Sequence, residues 1–338
     1  ARVDHRWRTA VTLANPFIRR RQTRRMDSLN RMAVELVDEA IDFADELRVD
    51  AHELPSGATV LDFGVDAPGG MEAGMLLAEI QTAGLATVQS RMDGVAGAPT
   101  PHVELATDHP ALALLCSGKA GWELRFDDPA FDGLGSGPAR ALVAEEDEFR
   151  ALEYADEFDL TVLSVESVDL PDDRVAEHIA ERAGVEPSGV FLPAYATGST
   201  VGSVTGAARA AELAVFRLFE SGYDVRNVRS AVGSAPVAPV TYDERLAMAR
   251  TNDAVAYGGE VHLTVTEDAD EFDRVPSTAG EEYGVPFAEI FDDADWDFYE
   301  VPAAAFAPAK VTIDVVDGPT HVLGATDEEL LAESFGHQ

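Results

Sequence analysis

Ala58-Thr-Val-Leu-Asp-Phe-Gly64, then Asp66-Ala-Pro-Gly-Gly70, then an apolar helix-length run from Met71 to Ala83, decides the fold class. A short apolar strand, a glycine-rich turn and a helix form one strand–turn–helix unit. A second unit of the same style begins with a strand at Val190 to Pro193 and runs into a helix over Ser203 to Glu220, closed by Gly222. The echo between the two fits either an internal duplication or the chance recurrence of a common turn.

Working outward, Leu29, Met32, Ala33, Leu36, Ala40, Phe43, Ala44 and Leu47 recur at three- and four-residue steps, which predicts a helix over Leu29 to Leu47 with Asp27 or Ser28 as its N-cap. Further strands are expected near 86–91, 159–165, 261–265 and 311–316, and a helix over 172–183. Ala111 to Leu115 reads as helix or strand, and Gly133-Leu-Gly-Ser-Gly-Pro138 as a turn before a helix over 139–144. Strand and helix patterns alternate, so the class is α/β. A length of 338 residues fits one large domain or two ordinary ones, and no low-complexity linker divides them.

Charge is the strongest compositional signal. Sixty-two Asp and Glu stand against 25 Lys and Arg, a net of −37. Residues 1–25 hold eight Arg and one Asp, so residues 26–338 carry −44. Such a surface repels nucleic acid and anionic membranes. The longest wholly apolar run, Ala111 to Cys116, has six residues, and a membrane span needs about 20. Acidic excess, Arg in place of Lys, and abundant Ala and Val fit a salt-adapted cytosolic protein, with an acidic mesophilic protein as the plainer alternative. The basic stretch before Met26 lacks the apolar segment of a twin-arginine signal. It reads as a disordered or non-native extension ahead of a start at Met26, or as a basic tail for an acidic partner.

Several segments carry possible chemistry. The one cysteine, Cys116, reads as a small buried hydrophobe, and the eight histidines form no metal-binding pattern. Gly135-Ser136-Gly137-Pro138 ahead of a helix fits either an anion cradle or a simple strand-to-helix turn, and so does Gly198-Ser-Thr-Val-Gly-Ser203. Arg209 and Glu212 sit three apart on a helix: a surface pair on one reading, a carboxylate and guanidinium aimed into a cleft on the other. Lys119 is one of two lysines and lies among small residues, which fits either a chemical need for an ammonium there or chance. Asp108-His109 lacks a nucleophile elbow and reads as a polar turn before Pro110.

Thr107-Asp-His-Pro-Ala111, Ser117-Gly-Lys-Ala-Gly-Trp122, Leu134-Gly-Ser-Gly-Pro-Ala-Arg-Ala-Leu142, Val201-Gly-Ser-Val and Ala208-Arg-Ala-Ala-Glu212 occur in that order. Thr251-Asn-Asp253, Tyr257-Gly-Gly259, Tyr283-Gly-Val-Pro-Phe287 and Phe306-Ala-Pro-Ala309 follow them. Together they resemble methenyltetrahydromethanopterin cyclohydrolase, an archaeal one-carbon enzyme family, from about Leu29 to Gly324. The resemblance implies reversible hydrolysis of the cationic 5,10-methenyl group of a reduced pterin, tetrahydromethanopterin or a related folate, to a formyl-pterin. It implies no metal and no nucleotide cofactor, and a homo-oligomer, often a trimer; the cytoplasmic location rests on the composition above. It also implies two α/β domains with the pterin in the cleft between them. On that basis 26–325 is expected to form the cyclohydrolase unit, with 326–338 as a tail.

The resemblance maps the active-site pair onto Arg209 and Glu212 and the active-site lysine onto Lys119. Glu212 then acts as general base and acid, Arg209 holds it ionised, and Lys119 positions water or stabilises developing charge. Ser117, Gly135, Ser136, Gly137, Arg140 and Ser203 fall in the matching stretches as substrate-binding candidates, with Arg140 and Arg250 the basic groups for an anionic tail. The rival reading is a catalytically silent pterin- or anion-binding protein on the same scaffold, and a third is a purely structural acidic oligomer.

Overall fold

The computed structural model describes residues 28–297 and 300–337, so the expectations for residues 1–25, Met26 and Asp27 lie outside the described residues. Helices α1 (Leu29–Asp42) and α2 (Ala44–Leu47) lead into β1 (Asp50–Glu53), β2 (Thr59–Gly64), α3 (Met71–Gln81), β3 (Thr87–Val95) and β4 (Ala98–Thr107). A π-helix (Ala111–Gly118) precedes β5 (Ala120–Asp127), β6 (Ala130–Ser136), α4 (Ala139–Val143), α5 (Asp147–Leu152), β7 (Thr161–Val162) and β8 (Ser164–Glu166). Then come α6 (Asp173–Ala183), β9 (Val190–Tyr195), α7 (Thr200–Ala208), α8 (Ala210–Glu220), β10 (Val228–Pro236) and α9 (Glu244–Gly258). The last elements are β11 (Glu260–Val265), α10 (Phe287–Asp293), β12 (Lys310–Val315), β13 (Thr320–Gly324) and α11 (Glu328–Ser334).

The strands form two separate mixed sheets, so the chain is α/β in two layered parts. The first runs β1-β2-β9-β8-β6-β5, with β7 also on β9. Its centre is parallel: β2 pairs with β9, and β9 with β7 and β8. Parallel strands need both faces covered, which is why β2 and β9 are buried almost throughout. Leu29, Ala33 and Val37 of α1, with Leu77 and Ile80 of α3, cover one face. Val175, Ala176 and Ile179 of α6 cover the other. The second sheet runs β13-β12-β11-β10-β4-β3 and packs against α7, α8 and the π-helix.

The two strand–turn–helix units lie side by side. β2 and β9 pair from Thr59↔Phe191 to Gly64↔Tyr195, and α3 packs on α7. A Cβ on Gly74 would stand 2.7 Å from Val204 Cβ, so the α3–α7 approach requires glycine there. Asp62 accepts from the backbone N–H groups of Gly64, Val65, Asp66 and Ala67 at 2.7–3.0 Å, which fixes the turn after β2.

Several expected boundaries move. The first helix ends at Asp42 and restarts at Ala44, with Ser28 as its N-cap accepting from Arg31 N–H. The expected single helix over 203–220 is two helices that meet at Arg209. Gly133 to Ser136 is not a turn but the end of β6, bonded to β5 and β8. The glycines there serve close packing: a Cβ on Gly135 would meet Leu163 Cδ2 at 2.9 Å. Within the stretch expected as a tail, α11 packs on α9, with Leu331 and the following Phe335 buried. Among the described residues no helix is long and apolar enough to cross a membrane.

One buried acid ties three helices together. Asp253 of α9, 1% exposed, accepts from Phe287 N–H at the start of α10 (2.9 Å) and from Ser334 Oγ at the end of α11 (2.5 Å). Burial pushes its carboxyl up to about 6, against an ordinary 3.8. A folded-state value above the unfolded one favours folding at low pH, and that contribution is lost as pH rises through 6. Asp253→Asn keeps the acceptor for Phe287 and removes the charge. The variant is expected to be more stable than the parent by about 2–3 kcal/mol at pH 8, with the gap closing toward pH 4. Thermal unfolding across that range, in molar KCl, checks it; a gap independent of pH contradicts it.

Candidate active site

Helix α7 bridges the two sheets. α7 touches β2 and α3 on one side and β4 and β10 on the other, and α8 packs on the π-helix, β10 and β11. The carboxyl ends of β2, β8 and β9 face this junction, the usual place for a site in a sheet with a parallel centre. Ser199 caps α7 by accepting from Gly202 N–H.

Arg209 stands at the break between α7 and α8, and its own N–H bonds to Gly206 C=O in a tightened turn. Its Nη2 donates to Glu212 Oε1 at 2.7 Å and its Nε to Oε2 at 3.3 Å. Glu212 is 6% exposed and Arg209 29%, so this is a two-pronged pair with a buried carboxylate and a half-buried guanidinium, not a surface i,i+3 bridge. Burial opposes the Arg209 charge, but the Glu212 carboxylate, then Tyr195 and Glu166, outweigh it and hold the guanidinium above its ordinary value.

The π-helix brings the second charged group. A Cβ on Gly118 would stand 3.6 Å from Glu212 Oε2, so Glu212 faces the end of that helix. Lys119 follows directly, and its Nζ lies 4.7 Å from the ring centroid of Phe216, one helical turn beyond Glu212 on α8. The Lys119 ammonium also donates to Glu148 of α5, which is 4% exposed. Arg209, Glu212 and Lys119 are thus gathered at one wall.

The other residues singled out from sequence fall into two groups. Ser136 belongs to a buried polar network: Gln81 Nε2 donates to Ser136 Oγ (3.2 Å), Ser164 Oγ (2.9 Å) and Tyr195 Oη (3.4 Å). Tyr195 Oη in turn donates to Glu166 Oε2 at 3.3 Å. Burial and the Glu166 charge raise the Tyr195 phenol above its ordinary value, so it stays a donor. Ser117 and Arg140 hold backbone. Ser117 Oγ donates to Gln81 C=O at 2.5 Å, and its C=O accepts from Gly137 N–H. Arg140 is fully buried; Nη1 donates to the carbonyls of Leu115, Ser117 and Lys119, while Nε and Nη2 engage Glu146. Its donors are spent on the chain and not aimed outward.

Gly135 lies inside β6, and Gly137 makes the turn to α4 at φ +122°. Ser203 is buried within α7. Arg250 lies elsewhere, donating to Ser334 C=O by α11. Asp108 and His109 are exposed in the turn after β4. Burial pushes the Cys116 thiol up to about 12, an inert core group. Among the described residues no cluster of His, Cys, Asp and Glu is arranged to hold a metal ion. A hollow of about 760 Å³ lies beside α10, walled by Glu282, Asp293, Asp295 and Glu300, and includes none of Arg209, Glu212 and Lys119.

Sequence reasoning missed Glu148, Phe216, Gln81, Tyr195, Glu166 and Glu244. Glu244 holds the turn before α7: both its carboxylate oxygens accept from Gly198 N–H at 3.2 Å, and burial with the nearby Glu166 charge raises its carboxyl above its ordinary value. None of these belongs to a local motif. Only Phe216 carried a signal, its i+4 spacing from Glu212.

Residues 28–335 match the family model described as Cyclohydrolase (MCH). The chain is 58% identical over 311 residues to the methenyltetrahydromethanopterin cyclohydrolase of Halobacterium salinarum, covering 92% of this chain and 99% of that protein. It is 38% identical over 316 residues to the protein of that name from Methanocella arvoryzae, with 92% and 99% covered. With that of Methanosarcina mazei it shares 37% over 319 residues, again covering 92% and 99%.

Proposed function

The chain belongs to the methenyltetrahydromethanopterin cyclohydrolase family, and from that premise we propose a mechanism in which Glu212 moves the protons, Arg209 orients it and Lys119 meets the developing oxygen charge. The substrate is the 5,10-methenyl cation of tetrahydromethanopterin. Its amidinium carbon is electrophilic, so water attacks it directly. Glu212 takes one proton from that water as the C–O bond forms. It returns the proton to the arylamine nitrogen as the C–N bond to that nitrogen breaks. The remaining hydroxyl proton leaves to solvent, and the carbon stays on the other nitrogen as the 5-formyl group. One water is consumed and one proton released.

The observation that carries this reading is the half-buried Arg209–Glu212 pair opposite Gly118 and Lys119. A carboxylate held by two hydrogen bonds from a guanidinium is fixed in direction. Lys119 supplies a donor on the same wall. Ser136 and its partners Gln81, Ser164 and Tyr195 offer polar contacts for the pterin ring. Ser117, Gly137 and Arg140 act one step back, by shaping the segment that carries Lys119. Gly135 lets β6 pack closely on Leu163, and Ser203 lies buried within α7. The resemblance further supports a homo-oligomer with a trimer favoured, and two domains within 26–325; the composition supports a cytoplasmic location.

The test is the loss of methenyl-pterin absorbance in molar KCl, with the methanopterin and folate forms side by side. Turnover above the spontaneous rate is expected with methenyltetrahydromethanopterin. Binding without turnover would favour a silent pterin-binding protein and overturn the mechanism.

A further inference from the structure

We propose that Glu148 is a positioning residue that cancels the charge Lys119 would otherwise present to a cationic substrate, an inference that rests on the functional reading above. Glu148 lies in α5, 4% exposed, and its carboxylate receives the Lys119 ammonium. Lys119 stands over Phe216, one turn from Glu212, and Gly118 faces Glu212 itself. The ammonium therefore shares a wall with the general base while bonded to a countercharge that is itself buried.

The same short stretch of chain holds Lys119 twice. Glu146 pairs with the fully buried Arg140, whose Nη1 donates to Leu115 C=O at 3.2 Å and Lys119 C=O at 2.7 Å. That bridge fixes the backbone that carries Lys119. Two residues on, Glu148 fixes its side chain. Backbone and ammonium are thus clamped from one segment, 146–148.

Charge explains why the second clamp is an acid. The methenyl group carries one positive charge at the carbon that water attacks, and the formyl product carries none there. An unpaired ammonium nearby repels the first and not the second, and a site shielded from water screens that repulsion little. Paired with Glu148, Lys119 keeps its hydrogens for the oxygen that develops negative charge, yet adds no net charge against the substrate. Arg209 is balanced by Glu212 in the same way. Each cation at the wall thus has its own carboxylate.

The experiment compares the parent, Glu148→Gln, Glu148→Asp and the double variant Lys119→Met with Glu148→Gln, in molar KCl, in both reaction directions. Gln keeps the size and an acceptor for Lys119, and circular dichroism with thermal unfolding reports folding. In Glu148→Gln the KM for the methenyl cation is expected to rise about 10–100-fold while the KM for the formyl compound moves less than about threefold. Removing Lys119 as well is expected to bring the methenyl KM back to within about threefold of the parent, with kcat still low. Glu148→Asp keeps the charge and is expected to hold the methenyl KM near the parent. A merely structural role would shift both KM values together, and that result, or an unchanged methenyl KM, overturns the inference while leaving the cyclohydrolase reading intact. If Glu148→Gln does not fold, a Glu148→Asp methenyl KM raised in step with the formyl KM overturns it equally. A folded parent without turnover overturns the functional reading and this inference with it.

Discussion

Glu212→Gln is expected to lower kcat by about a thousandfold, within the usual range of about 10²–10⁴ for a lost general acid–base group. The substitution preserves volume in a side chain that is 6% exposed, so the junction of α7 and α8 keeps its packing. Gln Oε1 still accepts from Arg209 Nη2, the shorter of the two bonds at 2.7 Å. Its amide nitrogen, however, meets Arg209 Nε donor to donor, where the carboxylate now accepts at 3.3 Å. Two losses follow. No base remains for the attacking water, and one negative charge beside the substrate cation is gone. The first appears in kcat, the second as a rise in KM of about tenfold or less. Steady-state turnover with methenyltetrahydromethanopterin, beside equilibrium binding of the same ligand, separates them. Near-normal turnover would end the proposed role of Glu212.

Legibility from sequence followed the physics of burial. β2 and β9 were visible because strands covered on both faces are apolar runs, and each is followed by glycine and then helix. β4 and β10 were not visible. Pro99 and Pro101 interrupt β4, while β10 contains Gly233, two serines and Pro236, and such residues argue against a strand when read singly. The prolines are tolerated because they sit at strand ends: β10 pairs with β4 only as far as His102, so Pro99 and Pro101 face β3 alone, and Pro236 is the last residue of β10. α9 escaped because its buried positions include Thr251 and Asp253, so no clean apolar stripe marks it.

The site was half legible. Spacing put Arg209 and Glu212 within reach of each other, but a regular helix makes that pair an ordinary surface bridge. The break at Arg209 and the facing π-helix turn it inward, and both are tertiary facts. Lys119 stood out only through rarity. Glu148 lay hidden in Glu145-Glu-Asp-Glu148, which in so acidic a chain reads as solvated surface. Its neighbour Glu146 bonds Arg140, and Glu148 itself turns in to Lys119. Arg140, expected to receive an anionic tail, spends its guanidinium on three backbone carbonyls instead.

Lowering KCl from about 2 M to 0.1 M is expected to drop the unfolding temperature by about 20 °C or more, because screening shortens from about 10 Å to under 3 Å only at molar salt. The net charge is −37, and the acids are not offset where they sit. Along α1 and α2 the exposed residues include Glu35, Asp38, Glu39, Asp42, Asp45 and Glu46. Arg31 reaches Glu35 there at 3.5 Å, with both side chains more than half exposed, and such a pair contributes little. Repulsion among the remaining acids therefore opposes the compact state at low salt and is removed at high salt. The pairs at the site differ in kind. Arg140–Glu146, Lys119–Glu148 and Arg209–Glu212 are buried or half-buried, so molar salt that screens the surface leaves them in place. Stability should then rise steeply with KCl while turnover of the folded protein changes far less. Equal molarities of sucrose should not substitute for KCl, which separates screening from general exclusion of cosolute. A protein that unfolds at the same temperature in 0.1 M and 2 M KCl would show that its acidic surface is not what sets its stability.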